Sequence, residues 1–271
     1  MIRPLRAIVL EARYDATPVQ VWHALTDAQA LSDWFAPNTK AEQGEGGTVE
    51  LSWDAATTWP TTIEIWDPER HLRWADPPPA PADGSPQPRL IIDWFISTEA
   101  GQTVLRLVHS GFGEGANWDD QIDGTRGGWS YFLWNLDVCL TRHRGVHRRL
   151  VWTRQRFTGS RTTLWDSLFA SGLMAVGTPA NAAAACTMTL GTRSLDGIVE
   201  TSEAPFRFAA RFPSLSDALL FIELEGSAAT SFHVGFWLST YGVAQDVVDE
   251  LQHSLDDAVT KLVEPLVSAT L

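Results

Sequence analysis

Few residues of this chain are suited to catalysis, and the strongest candidate is a histidine with a carboxylate on a neighbouring strand. His109 and Ser110 lie at the end of a predicted strand, and Asp93 lies on the neighbouring predicted strand. A histidine beside a carboxylate can act as a general acid or base, so this pairing is the candidate for catalysis. Ser110 lacks the Gly-x-Ser-x-Gly surroundings of a nucleophile at a strand-to-helix turn. The sequence places no partner beside His109, and we expect a hydrogen-bonded structural histidine and assign no catalytic residue.

Two other groups have residue types that bind metals, but their spacing argues against a metal. Asp119, Asp120 and Asp123 follow a glycine-rich bend and lack the alternation and closing glutamate of a calcium loop, so we expect them to cap a helix. His143 and His147 are separated by a glycine and have no adjoining carboxylate, which indicates a linker. Neither a phosphate-binding loop nor a dinucleotide fingerprint is present. We therefore predict no metal and no cofactor.

The composition is that of a globular protein. Its 271 residues, 44% apolar and 20% charged, suit two domains of about 100–150 residues each. A net charge of −13 argues against nucleic acid as a partner. No apolar run reaches the ~18 residues of a membrane span, and the apolar run Ala7–Leu10 is too short for a secretory signal. Cys139 and Cys186 fit no metal spacing and indicate buried free thiols. We expect a cytoplasmic protein without a membrane partner.

The elements that must position these residues follow a defined order. Hydrophobic periodicity predicts two short helices within 17–35 and a long helix from about Arg126 to Arg142, which carries an apolar stripe. It also predicts strands at Leu5–Tyr14, Thr48–Trp53, Thr61–Trp66, Leu72–Ala75, Leu90–Thr98 and Thr103–His109. Six prolines in Pro77–Pro88 indicate an exposed loop. The order favours an α+β fold in which a curved antiparallel sheet grips one helix and encloses an apolar cavity.

The pattern begins again after a basic segment. Trp165 and Leu168 repeat Trp22 and Leu25 at an offset of 143 residues. Near the other end, 254–261 resembles 135–142 at an offset of 119 residues. We predict a tandem repeat of one fold, with domains at 1–145 and 150–271. The alternative is an unrelated α+β domain in the second half.

The first half resembles the SRPBCC superfamily, which has the START-like, helix-grip fold. Within it, the chain is similar to the branch named for the homologue of the activator of the 90-kDa heat-shock-protein ATPase. The motif extends over about 5–143, and its residues are Ala16, Thr17, Pro18, Val21, Trp22, Ala24, Leu25, Thr26, Leu31, Trp34, Phe35, Gly47, Leu72, Trp74, the run Val108-His-Ser-Gly-Phe112, Gly128 and Trp129. The second half resembles the superfamily loosely and lacks the His-Ser-Gly-Phe run. The resemblance implies two helix-grip domains, each a curved antiparallel sheet around a long C-terminal helix. It does not choose among lipid or hormone binding, polyketide cyclisation, cochaperone contact and resistance to toxic natural products.

The first half also holds ten of the thirteen tryptophans. In a helix-grip cavity the last strands, the loop before the long helix and the face of that helix line the pocket. Aromatic walls suit a flat apolar ligand. The predicted ligand-binding residues are Trp94, Phe112, Trp118, Trp129 and Phe132. The alternative is that the same rings only fill the interior.

The favoured function is binding of a small hydrophobic or aromatic molecule in an internal cavity, without catalysis. One alternative is an enzyme of the cyclase or hydrolase kind that acts on a hydrophobic natural product in the cavity and uses His109 beside an acidic partner. The other is a cochaperone-like interaction module, which needs an exposed apolar or charged patch. The sequence leaves a homodimer or a chaperone contact open.

Overall fold

The computed structural model describes residues 6–53, 58–77, 89–177, 182–225 and 231–268, apart from the side chains at 116–117 and 265–268. The chain divides into two compact units, Met1–His147 and Arg148–Leu271. From residue 78 onwards the predicted proline-rich loop lies outside the described ranges. No helix in those ranges is long and apolar enough to cross a membrane.

The first unit is a seven-stranded antiparallel sheet with three helices in its described part. In chain order its elements are β1 (Arg6–Tyr14), α1 (Pro18–Thr26), α2 (Ala28–Trp34), β2 (Asn38–Ala41), β3 (Thr48–Ser52), β4 (Thr58–Asp67), β5 (His71–Ala75), β6 (Ile91–Glu99), β7 (Gln102–Phe112) and α3 (Ala116–Arg142). The strands lie in the order β1-β7-β6-β5-β4-β3-β2. The first and last strands are therefore neighbours, and every other hydrogen-bonded pair joins strands consecutive in the chain.

The second unit repeats this arrangement. Its elements are β8 (Arg148–Thr158), α4 (Arg161–Ala170), β9 (Met174–Val176), β10 (Ala185–Leu190), β11 (Arg193–Glu203), β12 (Arg207–Phe212), a 3-10 turn (Pro213–Leu215), β13 (Ala218–Glu225), β14 (Ser231–Tyr241) and α5 (Gln245–Ser268). The strand order is β8-β14-β13-β12-β11-β10-β9, which matches the first unit position by position. The predicted α+β class and tandem repeat are confirmed, with one helix in place of two between the first two strands.

The equivalent helices α1 and α4 begin in the same way. The hydroxyl of Thr17 accepts from the backbone N–H of Gln20, whose side chain accepts in return from the backbone N–H of Thr17. Ser160, 143 residues later, accepts from the backbone N–H of Thr163. These bonds satisfy N–H groups that a helix start leaves without partners. The repeat thus extends to the capping chemistry that starts the helix.

Helix α3 begins ten residues before the predicted start. Gly115 is its N-cap and makes no side-chain cap bond. The prediction that Asp119, Asp120 and Asp123 cap the helix is wrong, because all three lie inside it and Asp119 pairs with Arg6. Asp119 still favours the helix electrostatically from its first turn. The early turns were missed because glycines at 124, 127 and 128 lower the helix propensity of this stretch.

The hydrophobic core of the first unit lies between the sheet and one face of α3. The predicted stripe is confirmed, since Trp129, Leu133, Leu136 and Leu140 all belong to that core. The second unit has its own core, which is mainly aliphatic. Each unit therefore has the apolar interior that an independent domain requires.

Candidate ligand-binding site in the first unit

A β-bulge at Gly111 shapes the end of strand β7. Ser110 pairs with Ala7 and Phe112 pairs with Arg6, so Gly111 is the extra residue between two consecutive positions of β1. Its φ is +94°, and a Cβ there would lie 1.8 Å from the carbonyl oxygen of Arg89. Only glycine fits without displacement. The extra residue resets the alternation of side chains, so that His109 and Phe112 meet with ring centroids 4.8 Å apart.

Two cross-strand rows bring the inner residues of the sheet together. Trp74 pairs with Ile92, which pairs in turn with His109. In the adjacent row of the same face, two residues further along β6, Trp94 lies between Leu72 and Leu107. Residues two apart on a strand share a face, so both rows face the same side of the sheet.

Helix α3 packs its aromatic residues onto these rows. The ring of Trp129 lies 5.3 Å from that of Trp94 and 6.1 Å from that of His109. Phe132, one turn later, lies 6.1 Å from Trp129. On the other side, Trp118 lies 6.2 Å from Phe112.

The five predicted ligand-binding residues are thus joined by one chain of ring contacts that passes through His109. Trp94, Phe112 and Trp129 are buried, whereas Trp118 and Phe132 are partly exposed. We call these five, with His109, the aromatic cluster. It is continuous from the buried interior of the first unit to partly exposed rings.

Sequence reasoning gave no ligand role to several further aromatic neighbours of this cluster. Phe35 stacks on Trp129 at 5.0 Å, and Trp53 meets Phe35 edge to face at 5.4 Å. Trp59 stacks on His109 at 6.4 Å, and Trp74 contacts Trp94 at 5.4 Å. Phe35 and Trp74 belong to the family motif, but the motif gave them no role as ligand contacts. Trp59 was missed because β4 begins at Thr58, before the predicted strand.

A hydrogen bond inside the cluster fixes the state of His109. The indole Nε1 of Trp129 donates to Nδ1 of His109 at 2.9 Å. An indole nitrogen can only donate, so Nδ1 accepts and the neutral imidazole carries its hydrogen on Nε2. That Nε2 atom is buried and has no hydrogen-bond partner in the described part of the chain. Burial lowers the pKa of His109 to about 4, so the ring is uncharged at neutral pH.

His109 is hydrogen-bonded by Trp129, as expected for a structural histidine, and the candidate pairing with Asp93 is not formed. Asp93 follows Ile92, the residue opposite His109, and therefore points to the other face of the sheet. Its Oδ1 accepts from Nε of Arg73 at 2.8 Å and lies 2.7 Å from Nε2 of His71. Ser110 likewise alternates to the face opposite His109. The strand period thus separates the members of the candidate acid–base pair.

His143 and His147 lie between the end of α3 at Arg142 and the start of β8 at Arg148, in the segment predicted as a linker. His143 is buried and forms the C-cap of α3, and His147 places Nδ1 at 3.1 Å from Oδ2 of Asp33. A groove of about 380 Å³ lies beside them, lined by α1, α2 and the end of α3. The described residues hold no group of three or more histidine, cysteine or acidic side chains that could bind a metal ion.

The second unit has different residues at the equivalent positions. Leu238 pairs with Val151 as His109 pairs with Ile8, and Val151 follows Ile8 by the same 143 residues. Along the matching strand pairs, Ile222 stands in the place of Trp94 and Ala210 in that of Trp74. All three second-unit residues are buried. Phe208 and Phe236 flank Ile222 as strand partners, where leucines flank Trp94. The fold therefore does not itself require a histidine or a tryptophan at these three positions.

One protein family matches part of the first unit. Residues 15–141 match the family described as "Activator of Hsp90 ATPase homolog 1-like protein". No curated protein matches the chain.

Solved structures match one or both units at low identity. The Aha1 dimer from Colwellia psychrerythraea is 20% identical over 52% of this chain and 99% of that chain, with a TM-score of 0.44. DynU16, from the dynemicin biosynthetic locus, is 16% identical over 95% of each chain, with a TM-score of 0.42. The di-domain ARO/CYC BexL from the BE-7585A biosynthetic pathway is 12% identical over 96% of this chain and 98% of that chain, with a TM-score of 0.41. The match to this family thus extends over residues 15–141, and the second unit repeats the sheet order of the first.

Proposed function

We propose that the first unit binds a flat hydrophobic or aromatic small molecule at the aromatic cluster and catalyses no reaction on it. The observation that carries this proposal is His109, a buried imidazole among aromatic rings whose Nε2–H has no partner. A buried polar group without a partner calls for an explanation, and an acceptor brought by a ligand would supply one.

The contrast between the two units supports the same proposal. The positions of His109, Trp94 and Trp74 in the first unit are occupied by leucine, isoleucine and alanine in the second. Trp53, Trp59, Trp118 and Phe132 are partly exposed around the buried rings of Trp94 and Trp129. Partly exposed rings beside buried ones offer faces on which a flat ligand can stack.

The state of His109 favours binding over acid–base catalysis. Its pKa of about 4 leaves it neutral at pH 7, and Nδ1 is already engaged by Trp129. The cyclase or hydrolase alternative needs an acidic partner beside it, whereas the carboxylate of Asp93 is held by Arg73 and His71 on the other face. As it stands, the imidazole can donate a hydrogen bond but offers no free lone pair to take a proton.

Native mass spectrometry and a fluorescent probe test the proposal. We expect a retained small-molecule mass or saturable one-to-one binding of the uncharged probe N-phenyl-1-naphthylamine by the full chain. Trp59→Ala removes a ring that stacks on His109 and should weaken binding about tenfold or more. Trp66→Ala is the matched control, because Trp66 is also partly buried and its ring packs on Trp22 instead. Equal weakening by both variants, or no binding of any aromatic probe, would reject the proposal.

A further inference from the structure

Three buried side-chain nitrogens of the first unit lack a hydrogen-bond partner in its described part, and all three are donors. They are Nε1 of Trp74, Nε1 of Trp94 and Nε2 of His109. Indole nitrogens only donate, and His109 donates from Nε2 because Nδ1 accepts from Trp129. The set contains no acceptor and no cation.

The three donors lie on neighbouring strands and share one face of the sheet. Trp74 and His109 occupy the same cross-strand row, with Ile92 between them. Two strand spacings place their Cα atoms about 10 Å apart. Trp94 lies in the adjacent row and touches both Trp74 and Trp129. The donors therefore belong to the same part of the interior as the aromatic cluster.

A partly exposed neighbour separates His109 from the two tryptophans. The ring of His109 stacks on Trp59, which is partly exposed, with centroids 6.4 Å apart. Trp74 and Trp94 are fully buried, and Trp94 contacts only buried rings. A buried donor left without any partner costs roughly 5- to 150-fold in an equilibrium constant. Of the three donors, His109 is therefore the one placed to meet an acceptor brought by a ligand.

We infer that the ligand is a planar aromatic compound with a ring carbonyl, whose oxygen accepts a hydrogen bond from Nε2 of His109. This inference rests on the proposed function and adds the chemical class of the ligand. A carbonyl oxygen needs only donors, which the site supplies. A hydroxyl would bring a hydrogen of its own that the three nitrogens cannot accept, and a carboxylate would enter without a cation among these residues. The site therefore selects an aromatic ketone or quinone over the corresponding hydrocarbon, alcohol or acid.

Three compounds with one ring frame test this selection in the full chain. Fluorene, 9-fluorenone and 9-fluorenol share a flat tricyclic shape and differ at one carbon. We expect 9-fluorenone to bind about tenfold or more tightly than fluorene, as one hydrogen bond to an otherwise unpaired buried donor requires. 9-Fluorenol should show no such gain. Affinities are measured by isothermal titration calorimetry, because the ketone absorbs light and would distort fluorescence.

Variants show whether His109 is the donor. His109→Leu copies Leu238 of the second unit and should reduce the preference for 9-fluorenone to below about threefold. His71→Leu is the matched control, because His71 lies beside Asp93 on the other face of the sheet, and it should leave the preference unchanged. Ketone and hydrocarbon bound equally by the unaltered chain would overturn the inference while leaving the proposed function intact. A preference that survives His109→Leu would also overturn it, and failure of all three compounds to bind would reject both.

Nitrogen NMR of the unaltered chain gives a reading that does not depend on a stable variant. We expect the Nε2–H form of His109 in the free protein and a shift of its Nε2 resonance with 9-fluorenone but not with fluorene. A His109 resonance that moves equally with both compounds would contradict a hydrogen bond to the carbonyl.

Discussion

Nε1 of Trp129 donates to Nδ1 of His109 across 2.9 Å, and this bond joins helix α3 to strand β7 inside the first unit. Because Nδ1 accepts this bond, the hydrogen of the neutral imidazole is on Nε2. A residue that the sequence offers as an acid–base catalyst is thereby held as a neutral hydrogen-bond donor.

The burial of His109 predicts a loss of stability in mild acid. Its pKa is about 4 in the folded chain against an ordinary value of 6.5, so between these values the unfolded state binds more protons. Stability from this group is complete above pH 6.5 and falls by up to about 3 kcal/mol as the pH drops to 4. Urea unfolding followed by tryptophan fluorescence checks this, since ten of the thirteen tryptophans lie in the first unit. His109→Leu should flatten the dependence between pH 6.5 and 4, and an unchanged slope would show that His109 is not its source.

Glu223 predicts that the stability of the second unit depends on pH in the opposite direction. Burial raises its pKa to about 7, with Glu225 adding repulsion and Arg207 only partly compensating. Between pH 4.5 and 7 the folded state binds more protons, so stability from this group is present in acid and is lost as the pH rises to 7. Glu223→Gln should stabilise the second unit by about 1–3 kcal/mol at pH 8 and have little effect at pH 4.5.

Hydrogen exchange of the backbone amides of β13 and β14 is the measurement for Glu223→Gln. The control is Glu250→Gln, because Glu250 is an exposed carboxylate whose pKa is lowered by Arg193. Slower exchange of the strand amides at pH 8 is expected only for the Glu223 variant. Equal protection at pH 8 in the two variants would contradict a raised pKa of Glu223.

The bulge at Gly111 predicts a sharp difference between two glycine substitutions. Gly111 and Gly44 have positive φ values of +94° and +102°, but only at Gly111 would a Cβ meet backbone, at 1.8 Å. Gly44→Ala should cost about 1 kcal/mol for its backbone conformation alone. Gly111→Ala should cost about 3 kcal/mol or more and weaken ligand binding, because Phe112 follows directly. Similar urea midpoints for the two variants would show that the close approach to Arg89 relaxes freely.

The matched helix caps predict matched losses in the two units. Thr17→Ala and Ser160→Ala each remove an oxygen that accepts from a backbone N–H in the first turn. We expect each to cost about 1 kcal/mol, because the bond from the backbone N–H of Thr17 to the side chain of Gln20 does not need the hydroxyl and remains in Thr17→Ala. Hydrogen exchange at the starts of α1 and α4 locates each effect. Loss of protection from exchange in the other unit would contradict a local effect of the cap.

Much of the fold could be predicted from the residues because its signals are local. Alternating strands, the Thr17-Pro18 helix start and the 143-residue offset of Trp22 and Trp165 all fall within short stretches or repeat along the chain. Helix α3 shows the limit, because glycines at 124, 127 and 128 oppose the helix and tertiary packing sustains it. Local propensity therefore placed its C-terminal end and missed its beginning.

The site could be predicted only in part because it depends on register. The sequence placed His109 and Asp93 on adjacent strands, but which face each occupies is set by pairing with Ile92 and Val108. A shift of one residue reverses every side chain of a strand, and no local pattern distinguishes the two cases here. The bond from Trp129 to His109 joins residues of two elements, and only the packed structure reveals it.

The bulge at Gly111 also makes a deletion differ from a substitution at this position. Deleting Gly111 would place Phe112 directly after Ser110, and plain alternation would keep Phe112 on the same face as His109. The strand pairs on either side would keep their hydrogen bonds. A single-codon deletion can therefore preserve the inner face of β7 at a position where a Cβ would clash with Arg89. Mutational scans restricted to substitutions would never sample that change.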